Sequence, residues 1–240
     1  MKNCDMKEKA QRVLVTGVSS GIGEQIALAL LASGVEVLGW SRTQPSIQHE
    51  SFSWVSVDLA QSEEINRAFE SVEGLDALVN NAGVAVTSRV IDGKREDWER
   101  MLQVNVLALA QLSQLAIPLL EKSSVGQIVN VSSMSGHRVP PSGGFYAPTK
   151  FAVRAVTESL RWELRALNSK VRVSSISPGF VDTPLLDEYF QGREAQLEAL
   201  REETKMLSPE VVAAQVMHVL STPQPFQVGD ISMASTDQKV

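Results

Sequence analysis

The chain has 240 residues, of which 43% are hydrophobic and 21% are charged, a balance that is typical of a globular protein and excludes a disordered chain. Acidic side chains outnumber basic ones by 28 to 22, and the net charge of −6 argues against a nucleic-acid partner. The single cysteine, Cys4, lies in a polar leader over 1–11 and excludes an intrachain disulfide. The longest uninterrupted apolar run, 26–32, has seven residues, and we therefore expect no membrane span. We expect one cytoplasmic domain over 12–240, without a metal site.

Short β-rich runs alternate with longer segments of helical period along the chain. The predicted strands cover 13–16, 35–40, 54–57, 77–80, 128–132, 171–176 and 228–233. The predicted helices cover 22–32, 62–72, 96–120, 147–166 and 209–220, and 194–205 is a charged helical run. Because most of these strands are apolar on both faces and helices separate them, the pattern predicts an α/β fold: a doubly wound parallel sheet with helices on both faces.

A glycine-rich turn, TGVSSGIG over 16–23, follows the first predicted strand directly and leads into an amphipathic helix. Glycines at such a turn let backbone N–H groups approach a pyrophosphate, and the helix N-terminus adds the positive end of its dipole. We therefore expect a dinucleotide to bind here; the alternative is that the glycines serve only strand-to-helix packing. The expected contacts come from Gly17, Ser19, Ser20, Gly21, Ile22 and Gly23.

Ser41 and Arg42 follow the second predicted strand, where a dinucleotide-binding fold contacts the adenosine ribose. A carboxylate would bind both ribose hydroxyls of NAD, whereas a guanidinium attracts the 2′-phosphate of NADP. We therefore expect NADP (NADPH) as the cofactor, unless Arg42 is only a solvated cation. Asp58 and Leu59, after the third strand, are expected at the adenine edge, although Asp58 could instead cap the next helix.

Three side chains predict the chemistry: Ser133 follows the fifth strand, Tyr146 comes thirteen residues later, and Lys150 follows four residues after that. Residues four apart share one face of a helix, so the phenol and the ammonium should point into one cleft. We expect the cation to lower the pKa of Tyr146, which would exchange a proton with a substrate oxygen held by Ser133. With hydride from a nicotinamide, these groups would interconvert a carbonyl and an alcohol.

These residues, together with the NNAG motif over 80–83 and Pro178-Gly179 after the sixth strand, resemble the classical short-chain dehydrogenase/reductase family over almost the whole chain. The resemblance implies a single Rossmann-type domain and a homodimer or homotetramer. It implies a proton relay in which Asn105 holds a water that leads to Lys150. It also implies cofactor contacts from Asn81, Tyr146, Lys150, Pro178, Gly179, Val181 and Thr183. The structural alternatives are that Asn105 satisfies a buried backbone group and that Thr183 only shapes a turn.

Several later segments narrow the resemblance: SMSGHRV over 133–139, LSPE over 207–210, LSTP over 220–223 and GDI over 229–231. They look like a cytosolic NADP-linked group that includes mammalian carbonyl and keto-steroid reductases and insect farnesol dehydrogenases. Apolar side chains around a predicted substrate lid, about 184–208, favour an apolar aldehyde or ketone. Arg138 and Arg193 are the two arginines that could instead bind a substrate carboxylate. The alternatives are a 3-oxoacyl thioester reductase of fatty-acid synthesis and a non-catalytic protein that senses NADP.

Three features depart from the family pattern. Pro148 lies between Tyr146 and Lys150, so the helix either begins close to Tyr146 or kinks there. The span 43–52 is short and contains a proline, which argues against the helix that many relatives have at this place. The tail after Asp230 is brief and polar, and it is expected to offer the active site little cover.

Overall fold

The computed structural model describes residues 10–141 and 143–238, so Cys4 and most of the predicted leader lie outside the described residues. Seven strands form one parallel sheet in the order β3-β2-β1-β4-β5-β6-β7. The strands are β1 Arg12–Thr16, β2 Glu36–Ser41, β3 Phe52–Ser56, β4 Ala77–Asn80, β5 Gln127–Val131, β6 Arg172–Pro178 and β7 Asp230–Met233. The predicted doubly wound α/β fold is confirmed.

Helices cover both faces of this sheet. They are α1 Gly21–Ala32, α2 Ser62–Phe69, α3 Arg95–Leu102, α4 Ala108–Leu120, α5 Tyr146–Ala166, α6 Pro184–Tyr189, α7 Glu194–Glu203 and α8 Pro209–Leu220. Between β2 and β3 the described chain forms no helix, as the sequence indicated. Helix α5 begins at Tyr146, which places Pro148 in the first turn, where its missing N–H costs no helical hydrogen bond.

Alternate residues of the central strand β1 supply two separate apolar cores. Val13 and Val15 belong to the core that α1 and α8 cover, whereas Leu14 belongs to the core under α4. All three side chains are fully buried. This two-faced burial is the reason that the strands read as continuous apolar runs instead of alternating ones.

The predicted helix over 96–120 consists of three continuous segments. A π-helical turn, Gln103–Leu107, joins α3 to α4 and contains Asn105. By length and composition, 95–120 is the one helical run among the described residues that could cross a membrane, and 39% of its apolar window is buried inside the protein. The apolar side chains of α4, such as Leu112 and Leu120, pack under the sheet, which accounts for much of that apolar character.

Candidate active site

A cavity of about 770 Å³ opens at the carboxyl ends of the strands, between β1 and β4, where the strand order reverses. Such a crevice is the usual ligand site of an open α/β sheet. Most of the sequence-predicted residues line this cavity. They are Gly17, Ser19, Ser20, Gly21, Ile22, Ser41, Arg42, Asp58, Leu59, Asn81, Ser133, Tyr146, Lys150, Pro178, Gly179, Val181 and Thr183. Gly23 and Asn105 do not line it and lie just behind the wall.

The glycine-rich turn leaves no room for side chains on its inner surface. Gly17 has a φ of +75°, and a Cβ at Gly23 would lie 2.1 Å from the carbonyl oxygen of Gly17. Ser20, the residue before α1, makes no side-chain cap, so the first N–H groups of this helix are not satisfied from that position. A close backbone surface at the N-terminus of a helix fits a pyrophosphate, and a dinucleotide therefore fits this half of the cavity.

Thr16 and Asn81 brace the turn from the neighbouring strand end. The Thr16 hydroxyl accepts hydrogen bonds from the N–H groups of Asn81 and Ala82, both at 3.0 Å. The amide of Asn81 donates in return to the carbonyl oxygen of Thr16 at 2.9 Å. Asn81 thus holds the glycine turn in position besides lining the cavity. Thr16 was not among the predicted site residues, although it opens the motif.

The end of β2 holds its two predicted side chains differently. Ser41 is buried; its hydroxyl donates to the carbonyl oxygen of Thr43 at 2.7 Å and accepts from Trp54 Nε1 at 3.0 Å. Arg42 is exposed at the cavity rim, and its guanidinium has no hydrogen-bond or ion-pair partner among the described residues. The positive charge is therefore available to an anionic group in the cavity, whereas the Ser41 proton is already engaged.

Asp58 combines both roles that the sequence left open. It lines the cavity, and its carboxylate accepts from the N–H of Ala60 at 3.0 Å. Its own N–H donates to the Glu64 carboxylate at 2.8 Å, which ties the turn to the first part of α2. The residue therefore fixes the turn before the helix while one side contributes to the cavity wall.

Ser133, Tyr146 and Lys150 come together at the opposite wall. The Ser133 hydroxyl lies close enough to the Tyr146 phenol to lower its pKa, and Lys150 Nζ lies 5.7 Å from the centre of the Tyr146 ring. Lys150 is buried, and its Nζ donates to the carbonyl oxygen of Val131 at 3.1 Å. The i, i+4 spacing on α5 thus places phenol and ammonium beside one another, as the sequence predicted.

The direction of the Tyr146 pKa shift differs from the sequence expectation. Loss of hydration raises the pKa of Tyr146 above its usual value, the hydrogen bond from Ser133 opposes this effect, and the neighbouring Tyr189 adds to it. Burial also lowers the pKa of Lys150 to about 8. Loss of hydration is thus the largest influence on the pKa of both groups. Tyr146 accordingly carries its proton at neutral pH.

Asn105 lies in the π-helical turn and bonds the backbone that leads away from β4. Its Oδ1 accepts from the N–H of Val84 at 2.8 Å, and its Nδ2 donates to the carbonyl oxygen of Val84 at 2.9 Å. Nδ2 also donates to the Thr149 hydroxyl of α5 at 3.1 Å. The side chain therefore links the strand end to α5 close to Lys150, which is the structural role that the sequence allowed as an alternative.

Apolar side chains enclose the space above Tyr146. Those that line the cavity are Ala85, Met134, Val139, Pro140, Phe180, Leu185, Leu186 and Tyr189. The Tyr189 ring lies 5.9 Å from the Tyr146 ring. Of the two arginines considered as binders of a substrate carboxylate, Arg138 is exposed and lines the cavity, whereas Arg193 does not line it. Phe190 is buried in the same apolar cluster without reaching the cavity.

Gln238 is a cavity residue that the sequence did not indicate. Its Oε1 accepts from the N–H of Phe180 at 3.0 Å, and it occupies the position that a Cβ on Gly179 would need. The polar tail therefore reaches the site, and the expectation that it offers little cover is wrong at this residue. A polar side chain in an irregular tail has no periodicity that would reveal such a contact.

The family model for short-chain dehydrogenases matches residues 11–194, and the chain belongs to this family. It is similar to the bovine protein named dehydrogenase/reductase SDR family member 11, with 39% identity over 94% of this chain and 96% of that protein. It is 30% identical to an uncharacterized oxidoreductase of Staphylococcus saprophyticus over 98% of this chain and 99% of that protein.

Solved structures give the same fold. A serine dehydrogenase in a closed form complexed with NADP⁺ superposes with a TM-score of 0.89 and 28% identity, over 95% of this chain and 96% of that one. An alcohol dehydrogenase of Thermococcus sibiricus, complexed with 5-hydroxy-NADP, gives a TM-score of 0.79 and 25% identity, over 96% of this chain and 98% of that one. The protein is thus an oxidoreductase of a family that uses NAD or NADP.

Proposed function

We propose that the protein is an NADP(H)-dependent carbonyl reductase, reversible as an alcohol dehydrogenase. The observation that carries the proposal is that Ser133, Tyr146 and buried Lys150 lie together on one wall of a cavity whose opposite wall is the glycine turn. Among the described residues, no group of three His, Cys, Asp or Glu side chains is placed to hold a metal ion. The proton chemistry therefore falls to these side chains.

The cofactor half of the cavity is assigned to the turn over 17–23, with Asn81 and Thr183 at its sides and Arg42 at its rim. Arg42 would hold the 2′-phosphate that distinguishes NADP from NAD, because it is the free cation at the adenosine end. Asp58 and Leu59 would contact the adenine of the cofactor. Its nicotinamide would be contacted by Pro178, Gly179 and Val181. The bound cofactor supplies the hydride.

Tyr146 would donate its proton to the substrate oxygen during reduction and take it back during oxidation. Its raised pKa keeps the phenol protonated until the proton is transferred to the substrate oxygen. Ser133 would donate a hydrogen bond to the same oxygen, and the Lys150 ammonium would stabilise the phenolate that Tyr146 leaves behind. Asn105 holds the backbone at Val84 and would position the water through which Lys150 restores the proton.

The substrate half favours an apolar aldehyde or ketone. Most of its walls are aliphatic and aromatic side chains; exposed Arg138 also lines the cavity, whereas Arg193 does not. The segment 184–208 would act as the substrate lid of a single domain over 12–240. The segments 133–139, 207–210, 220–223 and 229–231, which resemble the carbonyl and keto-steroid reductases and the insect farnesol dehydrogenases, support placing the protein with that group.

A substrate panel tests the proposal. Oxidation of NADPH and of NADH is followed with aldehydes, cyclic and long-chain ketones, and a 3-oxoacyl thioester. We expect turnover with apolar carbonyls and a higher kcat/KM with NADPH. A thioester as the best substrate would favour fatty-acid synthesis instead. Tight NADPH binding without turnover across the panel would identify a sensing protein.

We also propose a homodimer or homotetramer in the cytoplasm. Leu107 is 52% exposed and Phe151 is 38% exposed, and they belong to the helical run 95–120 and to α5, whose residues contact one another. A second copy of the chain would cover these apolar side chains, as the family resemblance implies. Light scattering after size-exclusion chromatography would show a single mass of one chain if the proposal is wrong.

A further inference from the structure

Arg193 lies outside the cavity, immediately before α7, and its guanidinium contacts two aromatic rings. Its guanidinium carbon lies 5.4 Å from the centre of the Tyr189 ring and 4.9 Å from that of Phe190. A guanidinium at these distances from an aromatic ring is attracted by the electron density of the ring face. Arg193 is therefore fixed against the outer side of the apolar cluster beside Tyr146.

The same guanidinium bonds two different parts of the chain. Arg193 Nη2 donates to the carbonyl oxygen of Tyr189 at 2.8 Å and to the hydroxyl of Thr87. Thr87 lies in the loop after β4, and its hydroxyl donates to the same Tyr189 carbonyl. These contacts form a three-way junction between that loop and the proposed lid.

The junction acts on a side chain that lines the cavity. Tyr189 is 8% exposed, belongs to the cavity wall, and lies 5.9 Å from Tyr146. Its backbone carbonyl is held by Thr87 and Arg193, and its ring is held by the guanidinium. The position of this part of the wall thus depends on a residue that a substrate in the cavity would not touch.

We propose that Arg193 is a positioning residue, which latches the lid to Thr87 and thereby sets the affinity of the cavity for its carbonyl substrate. This inference rests on the proposed function, because it assigns a role to the same cavity. Arg193 does not bind a substrate carboxylate, since its charge is directed at Tyr189, Phe190 and Thr87. When the junction opens, the Tyr189 wall moves away from Tyr146 and the substrate loses apolar contacts.

The test compares Arg193→Met and Thr87→Val with the conservative variants Arg193→Lys and Thr87→Ser. The first pair removes the charged hydrogen bond, so KM for the best carbonyl of the panel should rise about tenfold, while KM for NADPH stays unchanged. The second pair should recover part of the affinity. The double variant Arg193→Met/Thr87→Val should have about the same KM for the carbonyl as Arg193→Met alone, because both substitutions break the same junction.

Arg201→Met is the matched control within the same segment. Arg201 forms exposed ion pairs with Asp182 and Asp187, both at 3.0 Å. Since exposed pairs contribute little, this variant should leave KM for the carbonyl close to that of the unmodified protein.

Hydrogen exchange of the backbone amides over 184–203 provides a readout that does not need turnover. Exchange there should accelerate in Arg193→Met and Thr87→Val but not in Arg201→Met. Turnover with unchanged KM and unchanged exchange in the first two variants would overturn the latch. Faster exchange in a protein that reduces no carbonyl would support the latch and contradict the proposed function.

Discussion

Lys150 Nζ donates a hydrogen bond to the carbonyl oxygen of Val131 at 3.1 Å and lies 5.7 Å from the centre of the Tyr146 ring. A strand end therefore holds the ammonium from one side, while the first turn of α5 places the phenol on the other. Among the described residues, neither Lys150 nor Tyr146 forms an ion pair with an acidic side chain. Their protonation is consequently governed by burial, and each can be tested by its own substitution.

Removing the phenol oxygen should stop the proton transfer. For Tyr146→Phe we expect kcat for carbonyl reduction to fall about a hundred-fold or more, which is the usual contribution of a general acid. Phenylalanine keeps the ring beside Tyr189, so the fold and NADPH binding should persist. Fluorescence titration with NADPH gives this control. Unchanged turnover would exclude Tyr146 as the proton donor.

As the pH rises, the rate of reduction should respond to deprotonation of Lys150 at a lower pH than to deprotonation of Tyr146. The pKa of Lys150 is lowered to about 8, so its positive charge is lost as the pH rises through that value. The raised pKa of Tyr146 keeps the phenol protonated in the same range. We expect kcat/KM to decline above about pH 8, and Lys150→Arg, whose cation persists, should move the decline to higher pH. A decline at the same pH in the arginine variant would assign it to another group.

Burial of the Lys150 charge should also reduce the stability of the protein. The pKa of this group is lower in the folded chain than its ordinary 10.5, so the unfolded state binds the proton more tightly between about pH 8 and 10.5. The penalty is complete below pH 8 and disappears as the pH approaches 10.5. Lys150→Met should therefore raise the free energy of unfolding at pH 7 by about 1–3 kcal/mol while activity is lost.

Denaturant unfolding at pH 7 and at pH 10 measures this effect. The gain of Lys150→Met over the unmodified protein should shrink at the higher pH. An equal gain at both values would show that side-chain packing, and not charge, is responsible.

Cofactor choice should depend on Arg42. Arg42→Ala removes the cation at the rim, and loss of charge-assisted hydrogen bonds to a phosphate should lower kcat/KM with NADPH about ten- to a hundred-fold. The value with NADH should change little, because NADH has no 2′-phosphate. Arg138→Ala, which removes another exposed arginine of the same cavity, is the control. Equal losses with both cofactors would argue against a 2′-phosphate contact.

Gln238 should matter for the substrate half of the cavity. Gln238→Ala leaves the N–H of Phe180 without its acceptor, and we expect KM for the carbonyl to rise about fivefold. Gln238→Glu keeps an acceptor at the same position and should preserve the bond. Steady-state kinetics on both variants measures the difference; if alanine and glutamate behave alike, the hydrogen bond is not the cause.

The sequence predicted the sheet well because its strands are buried on both faces and glycines mark the turn after β1. It did not predict the π-helical turn at Gln103–Leu107, because the change is one of hydrogen-bond register and leaves the apolar pattern intact. The direction of the Tyr146 pKa shift was wrong for a related reason. Spacing on a helix places Lys150 near the phenol, but only the packed structure shows how completely the phenol is removed from water, and this loss of hydration is the largest influence on its pKa.

Arg193 and Gln238 show the same limit. Arg193 donates to the carbonyl oxygen of Tyr189, four residues earlier, and to the hydroxyl of Thr87, which is distant in sequence. Gln238 accepts from the N–H of Phe180, which is also distant in sequence. Side chains that bond a remote carbonyl or N–H carry no motif, since the partner's identity is irrelevant to the bond. The motif residues were found because their chemistry depends on residue type.

Val181 and Leu207 form a parallel bridge, with hydrogen bonds from the N–H of Asp182 to Leu207 and from the N–H of Leu207 to Phe180. The two ends of the segment between them are therefore adjacent in space, and the segment forms a long loop that leaves the sheet and returns to the same place. Its length and sequence can change without moving a strand, since a loop whose ends stay fixed costs little to extend. This segment can thus be replaced during evolution, which changes the substrate specificity of the enzyme while the glycine turn, Tyr146 and Lys150 keep their positions.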